Sequence, residues 1–224
     1  MKVVLVPGFT QLARSWDVVL QMLPADVDAA TLDVPSQLDF VATALALGDA
    51  GGVGTYVGYS MGGRLCLRLA LDRPQVVERL VLVSASPGIA DPELRASRRA
   101  DDERLALDAE QDGADSFLER WLAQPLFATL PRDGSARSAR IHDVAVLAHQ
   151  LRALGQGAMD PLWDRLGELT MPVELVVGGL DEKYGQLAHE MAAHLHDARV
   201  HVIAGAGHAV HLEEPAALVR ALGT

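Results

Sequence analysis

The chain has 224 residues, half of them apolar, enough for one α/β domain with an insertion around a large core. Its 19 Lys and Arg against 30 Asp and Glu give a formal net charge of −11, a mean field that repels nucleic acid and anionic membranes. Any anionic ligand therefore needs a local basic pocket, and the single cysteine, Cys66, excludes an internal disulfide and a multi-cysteine zinc site.

The opening MKVVLVPGF lacks the charged and extended apolar regions of a signal peptide, and no window reaches about 18 apolar residues. A cytoplasmic protein, monomer or homodimer, is expected. There is no internal repeat or low-complexity tract.

In chain order, six β-rich runs each precede turn residues: KVVLV before PGFT, AATLDV before PSQ, VGTYVGY before SMGG, RLVLVSA before SPG, VELVV before GGLD, and RVHVIA before GAGH. Alternating with helical patterns, they predict a mostly parallel sheet of about six strands with helices on both faces. Such sheets bind ligands at the carboxyl ends of their strands. Cys66, in the apolar run LCLRLAL, is expected in the core.

The alternation stops over residues 88–167. That stretch is helix-patterned, with Asp91 and Pro92 as an N-cap and N1 pair, then ELRASRRADDERLALDAE, SFLERWLAQPLF and SARIHDVAVLAHQLRALG. It predicts a helical cap between core segments 1–87 and 168–224; the bland reading is a set of ordinary crossover helices, long for one connection. A cap would exclude water and shape a pocket.

Gly58, Ser60 and Gly62 form G-x-S-x-G between a strand run and a helix, the context of the α/β-hydrolase nucleophile elbow. A serine hydroxyl needs a base, and the base an orienting carboxylate. In that fold's chain order, the candidates are Asp181 in VVGGLDEKY and His208 in AGAGHAVHLEEP. His211 competes with His208 but falls further into a predicted helix, and Asp181 alone could equally be a helix N-cap. The oxyanion hole would be the backbone N–H groups of Met61 and Phe9.

Arg64 stands four residues behind Ser60, on the same helical face and about 6 Å further along the axis. Its segment is nearly all apolar, where an unpaired charge is costly.

GYSMGGRLCLRLA, LVLVSASPGIADPELRASRRADDERLA, FLERWLAQPLF, LRALGQGAMDPLWDRL, GGLDEKY and AGHAVHLEEP together resemble the 2-succinyl-6-hydroxy-2,4-cyclohexadiene-1-carboxylate synthases of menaquinone biosynthesis. The resemblance runs from Tyr56 onward and includes the cap. It implies an α/β-hydrolase fold and a lyase that eliminates pyruvate from a polycarboxylate cyclohexene, with no metal and no organic cofactor. It places the family's substrate contacts on Tyr59, Arg64, Arg98, Trp121 and Arg140, the arginines holding carboxylates of a small anionic substrate.

Each has a plainer reading. Arg98 could pair with Asp102 at i+4 on an exposed helix, worth about 0.3–0.5 kcal/mol. Arg140 lies in the polar stretch RDGSARSARIHD, where solvation is the ordinary state and Arg137 is a rival. Trp121 could be core. Two departures stand out: Pro7 replaces a histidine that often braces the loop in relatives, and LDVPSQLD lacks their Gly-His-Gly. The opening hairpin of the fuller fold is also expected to be absent. The alternatives are a carboxylesterase or carbon–carbon bond hydrolase, which would favour an apolar pocket, and a non-catalytic binding protein on the same scaffold.

Overall fold

The structure is a computed structural model and describes residues 1–131 and 139–223. The described residues form one six-stranded sheet from β1 (Lys2–Val6), β2 (Asp28–Thr31), β3 (Gly54–Tyr59), β4 (Val77–Val83), β5 (Val173–Gly178) and β6 (Ala198–Ile203). Their order is β2-β1-β3-β4-β5-β6, and every pairing is parallel. The central strands β3 and β5 are buried throughout, which is why they read as largely apolar runs, the buried Glu174 of β5 being paired with Arg79 and His201, while β2 and β6 form the half-exposed edges.

Side chains alternate across the sheet with period two, so one strand feeds two cores. Val4 and Val6 join Leu80, Leu82 and Leu175 on one face, under α2 (Phe40–Gly51), α3 (Met61–Asp72) and α7 (Glu182–Ala192). Val3 and Leu5 join Val81, Val83 and Val176 on the other, under α1 (Asp17–Met22), α8 (Val210–Glu213) and α9 (Pro215–Leu222). Cys66 is buried in the first of these cores, as expected, and burial pushes its thiol pKa up.

Between β4 and β5 lie α4 (Pro92–Asp112), α5 (Ala114–Leu122) and α6 (Val144–Leu154), with 3-10 turns at Pro125–Phe127 and Trp163–Glu168. Asp91 caps α4 by accepting from the amides of Glu93 and Leu94 at 2.8 and 2.9 Å, and Pro92 follows at N1. Asp143 caps α6 in the same way, through Ala145 and Val146. These helices have their own core, in which Ala106 and Ala109 of α4 face Leu147, Ala148 and Leu151 of α6. Arg152 clamps the pair by bonding both Glu103 and Glu110.

One segment departs from the helical expectation. In SARIHDVAVLAHQLRALG the helix begins at Val144, and Ala139–Ile141 instead runs antiparallel to the loop after β1. Leu12 N donates to Ala139 O at 2.9 Å and Ile141 N to Thr10 O at 2.8 Å. The Asp143 cap sets where the helix can start, and before it the Ile141 amide and the Ala139 carbonyl find their partners on the loop.

Candidate active site

The strand order reverses between β1 and β3, and the crevice at their carboxyl ends is where open α/β sheets bind ligands. β3 ends at Tyr59 and α3 begins at Met61, leaving Ser60 as the whole turn, at φ 50° and ψ −107°. Such a conformation costs a non-glycine residue about 1–3 kcal/mol. It is held by the glycines: a Cβ on Gly58 would lie 2.5 Å from Gly62 O, and one on Gly62 would strike Pro7 O. Met61 is the first residue of α3, so its N–H has no acceptor within the helix. Phe9 follows the neighbouring strand β1.

His208 lies in the loop between β6 and α8, with Nδ1 2.6 Å from Asp181 Oδ2 and Nε2 3.3 Å from Ser60 Oγ. The carboxylate can only accept, so His208 donates through Nδ1 and presents the Nε2 lone pair to the serine hydroxyl. Asp181 satisfies both of its readings: Oδ2 faces the histidine while Oδ1 caps α7 by accepting from Tyr184 N at 3.3 Å. His211, by contrast, turns its Nε2 toward Gln11 Oε1 at 3.2 Å. The His208 ring is packed by Tyr184, Tyr59 and Phe127 at centroid distances of 4.5, 5.4 and 6.1 Å.

A cavity of about 420 Å³ opens over Ser60. Phe9, Tyr59, Met61, Arg64, Arg98, Trp121, Arg140 and His208 all line it, so sequence-distant candidates meet in one space. Arg64 is 6% exposed; its Nη1 donates to Leu154 O at 2.9 Å, and burial pushes its pKa down to about 10. Among the described residues no carboxylate lies within salt-bridge distance of it. Trp121 meets the Phe9 ring edge-on at 4.9 Å, tying the loop after β1 to α5.

Two arginine readings change. Arg98 does pair with Asp102, Nε to Oδ1 at 2.8 Å, but this is no exposed pair, because Asp102 is only 2% exposed. Asp102 Oδ2 also accepts from Gly157 N at 3.4 Å, so the carboxylate fixes Arg98 against the segment after α6. Arg140 is buried, not solvated: its Nη1 donates to Thr10 Oγ1 at 2.6 Å, and burial lowers its pKa. Its rival Arg137 lies outside the described residues.

Several site residues escape a reading by motif. Tyr184 and Gln156 line the cavity, and Gln156 Nε2 donates to Ser86 Oγ at 3.1 Å and to the Tyr184 hydroxyl at 3.4 Å. Glu213 accepts from the amides of Gly207 and Ala209 at 2.6 and 2.9 Å, clasping both neighbours of His208. Neither cavity residue carried a local signal: the Asp181 cap places the Tyr184 amide and not its ring, and a loop glutamine is ordinary.

His211 offers a pH test. It is fully buried beside Trp16, Tyr59 and Gln11, and burial, then Arg140 and His208, hold its pKa well below the ordinary imidazole value. The unfolded chain therefore binds a proton below pH about 6.5 that the folded chain refuses, and stability falls with pH there by up to about 1.4 kcal/mol per unit. Unfolding midpoints measured from about pH 7.5 to 5.5 should decline less steeply in His211→Phe than in the native protein. Identical slopes would mean that His211 is not held neutral.

The chain matches the alpha/beta hydrolase family over residues 3–221. The 2-succinyl-6-hydroxy-2,4-cyclohexadiene-1-carboxylate synthase of Enterobacter sp. (strain 638) is 30% identical over 231 residues, spanning 96% of this chain and 87% of its own. A Bacillus subtilis (strain 168) relative, whose name proposes the same activity, is 32% identical over 234 residues, spanning 95% and 85%. Among solved structures, MenH from S. aureus superposes with a TM-score of 0.92 at 27% identity, over 99% of this chain and 91% of that one. A Thermogutta terrifontis esterase, at 19% identity and a TM-score of 0.77 over 100% and 88% of the two chains, shares the fold. With its sequence and its backbone both matching along nearly their whole length, the chain belongs to the α/β-hydrolase family and, within it, to the 2-succinyl-6-hydroxy-2,4-cyclohexadiene-1-carboxylate synthases.

Proposed function

We propose that this enzyme eliminates pyruvate from 2-succinyl-5-enolpyruvyl-6-hydroxy-3-cyclohexene-1-carboxylate, giving 2-succinyl-6-hydroxy-2,4-cyclohexadiene-1-carboxylate for menaquinone biosynthesis. One observation carries this reading: Arg64, Arg98 and Arg140 line the same cavity as Ser60. A site for neutral esters gains nothing from three guanidiniums, whereas a substrate with several carboxylates needs them as charge-assisted, often bidentate partners. Lys183 adds a fourth cation to the lining, against Asp101 and Asp102. The chain's overall negative charge makes this local basic pocket the more telling.

In this reading His208 Nε2 takes the Ser60 hydroxyl proton while Asp181 holds the ring in the required tautomer. Ser60 Oγ then removes a proton from the ring carbon. The C2–H electron pair becomes the C2=C3 bond, the existing C3=C4 pair shifts to C4=C5, and the C5–O bond to the enolpyruvyl group breaks. The leaving enolate takes a proton and tautomerises to pyruvate, so atoms balance without a covalent enzyme intermediate. Negative charge that builds on the succinyl ketone oxygen during proton loss from the adjacent ring carbon is met by the Phe9 and Met61 amides. Helices α4–α6 act as a cap that keeps water from this charge.

The test is direct: the purified protein, given this cyclohexene intermediate and a panel of short-chain esters, should release pyruvate and spare the esters. Ester cleavage without pyruvate would refute the lyase reading.

A further inference from the structure

The loop after β1 must present the Phe9 amide, yet Pro7 at its start has neither an N–H nor a polar side chain to brace it. The structure places another side chain there. Gln11 is 2% exposed, and its Oε1 lies 3.3 Å from Gly8 N, 3.4 Å from Ser15 Oγ and 3.2 Å from His211 Nε2. Gln11 N also closes the turn onto Gly8 O at 3.1 Å. An amide N–H can only donate, so the Gln11 atom that faces Gly8 is the carbonyl oxygen. His211 must then face that oxygen with a proton on Nε2. Three donors share one acceptor, which accounts for lengths beyond the usual 2.9–3.0 Å.

The same peptide is gripped from two other sides. A Cβ on Gly8 would lie 2.6 Å from Tyr59 Cδ1, so the tyrosine ring seals that side of the turn and itself packs on His211 at 4.3 Å. Thr10, buried at φ 68°, gives its hydroxyl oxygen to Arg140 Nη1 and its carbonyl to Ile141 N. The turn thus has an unfavourable backbone conformation that its neighbours must enforce. Of these restraints, the Gln11 oxygen is the one that bonds the Gly8 amide itself, one peptide before the Phe9 N–H.

We propose that Gln11 is a positioning residue for the oxyanion hole: its side-chain oxygen holds the Gly8 N–H and its backbone N–H holds the Gly8 carbonyl, so that the Gly8–Phe9 peptide points the Phe9 N–H to the reacting site beside Ser60. This rests on the oxyanion role given to Phe9 under the proposed function. An oxyanion donor acts on the transition state more than on the bound substrate, so loosening it should lower kcat and leave KM nearly unchanged.

Gln11→Met keeps the length of the side chain and removes the acceptor, whereas Gln11→Glu keeps an acceptor. Both are to be compared with the native enzyme well below their unfolding midpoints, for pyruvate release from the cyclohexene intermediate or, if the native enzyme releases none and cleaves esters instead, for hydrolysis of p-nitrophenyl acetate. Amide hydrogen exchange at Gly8 is followed alongside. Gln11→Met should lose about 10- to 100-fold in kcat with KM within about twofold. Gln11→Glu should recover most of that loss, and Gly8 exchange should rise in Gln11→Met alone. A native kcat in Gln11→Met, an equal loss in Gln11→Glu, or a native Gly8 exchange rate in Gln11→Met would each overturn the proposal. Should the native protein release no pyruvate, the lyase reading fails by itself, and the kcat comparison on the ester, which needs the same hole, decides the role of Gln11.

Discussion

Ser60→Ala is expected to lower kcat for pyruvate release by about 10³-fold or more while KM changes by less than about threefold. The substitution removes the hydroxyl that His208 Nε2 faces at 3.3 Å and leaves in place the arginines that line the cavity, the carboxylate partners of the proposed substrate. Steady-state kinetics with coupled pyruvate detection reads both constants; a near-native kcat would transfer the base role to His208 acting alone. Ser60→Gly should share the loss of activity yet gain about 1 kcal/mol in stability, because φ 50° with ψ −107° is strained for serine and open to glycine. Ala keeps a Cβ and so keeps the strain. A comparison of the two unfolding midpoints therefore separates the chemistry of the hydroxyl from the conformational cost of exposing it.

Arg64→Met should lower kcat/KM by about 10²- to 10³-fold, the loss of a charge-assisted carboxylate contact of about 3–4 kcal/mol, without lowering the unfolding midpoint. Arg64 is buried, its pKa is depressed to about 10 by that burial, and among the described residues it has no carboxylate in salt-bridge contact. The free enzyme thus holds a guanidinium at a desolvation cost that methionine, of similar reach, does not incur. The lost bond to Leu154 O opposes this gain by about 1 kcal/mol. Arg64→Lys should fall between, since it keeps the charge and loses the planar fork. A midpoint lowered by more than about 8 °C in Arg64→Met would show that Arg64 is chiefly a strut between α3 and the end of α6.

Legibility in the sequence followed the range of the physics. The strand runs were readable because burial on both faces of a parallel sheet demands a high density of apolar residues, and KVVLV and VELVV supply it. The elbow was readable because a one-residue turn between β3 and α3 admits no Cβ at Gly58 or Gly62. Asp91 and Asp143 mark helix starts through bonds that span two or three residues. Arg64 was suspect because four residues of helix place it beside Ser60 on one face.

Beyond that range, composition misleads. Arg140 sits in a polar stretch and is buried, because residues 139–141 pair with the loop after β1, a contact across more than a hundred residues. Arg98 and Asp102 have the spacing of an exposed ion pair, yet α6 and the segment after it cover the aspartate. Gln11 has no motif at all, and its meaning arises from Gly8, Ser15 and His211 converging on one oxygen.

The sequence by itself determined the architecture, the nucleophile turn and the ordered Ser60, Asp181 and His208, since these depend on periodicity, on steric exclusion within a few residues and on strand ends sharing one edge. Whether three arginines face one cavity, and what braces the loop after β1, was decided only by tertiary structure. Both depend on which helix lies against which loop, and that is set by the packing of whole cores rather than by any local pattern.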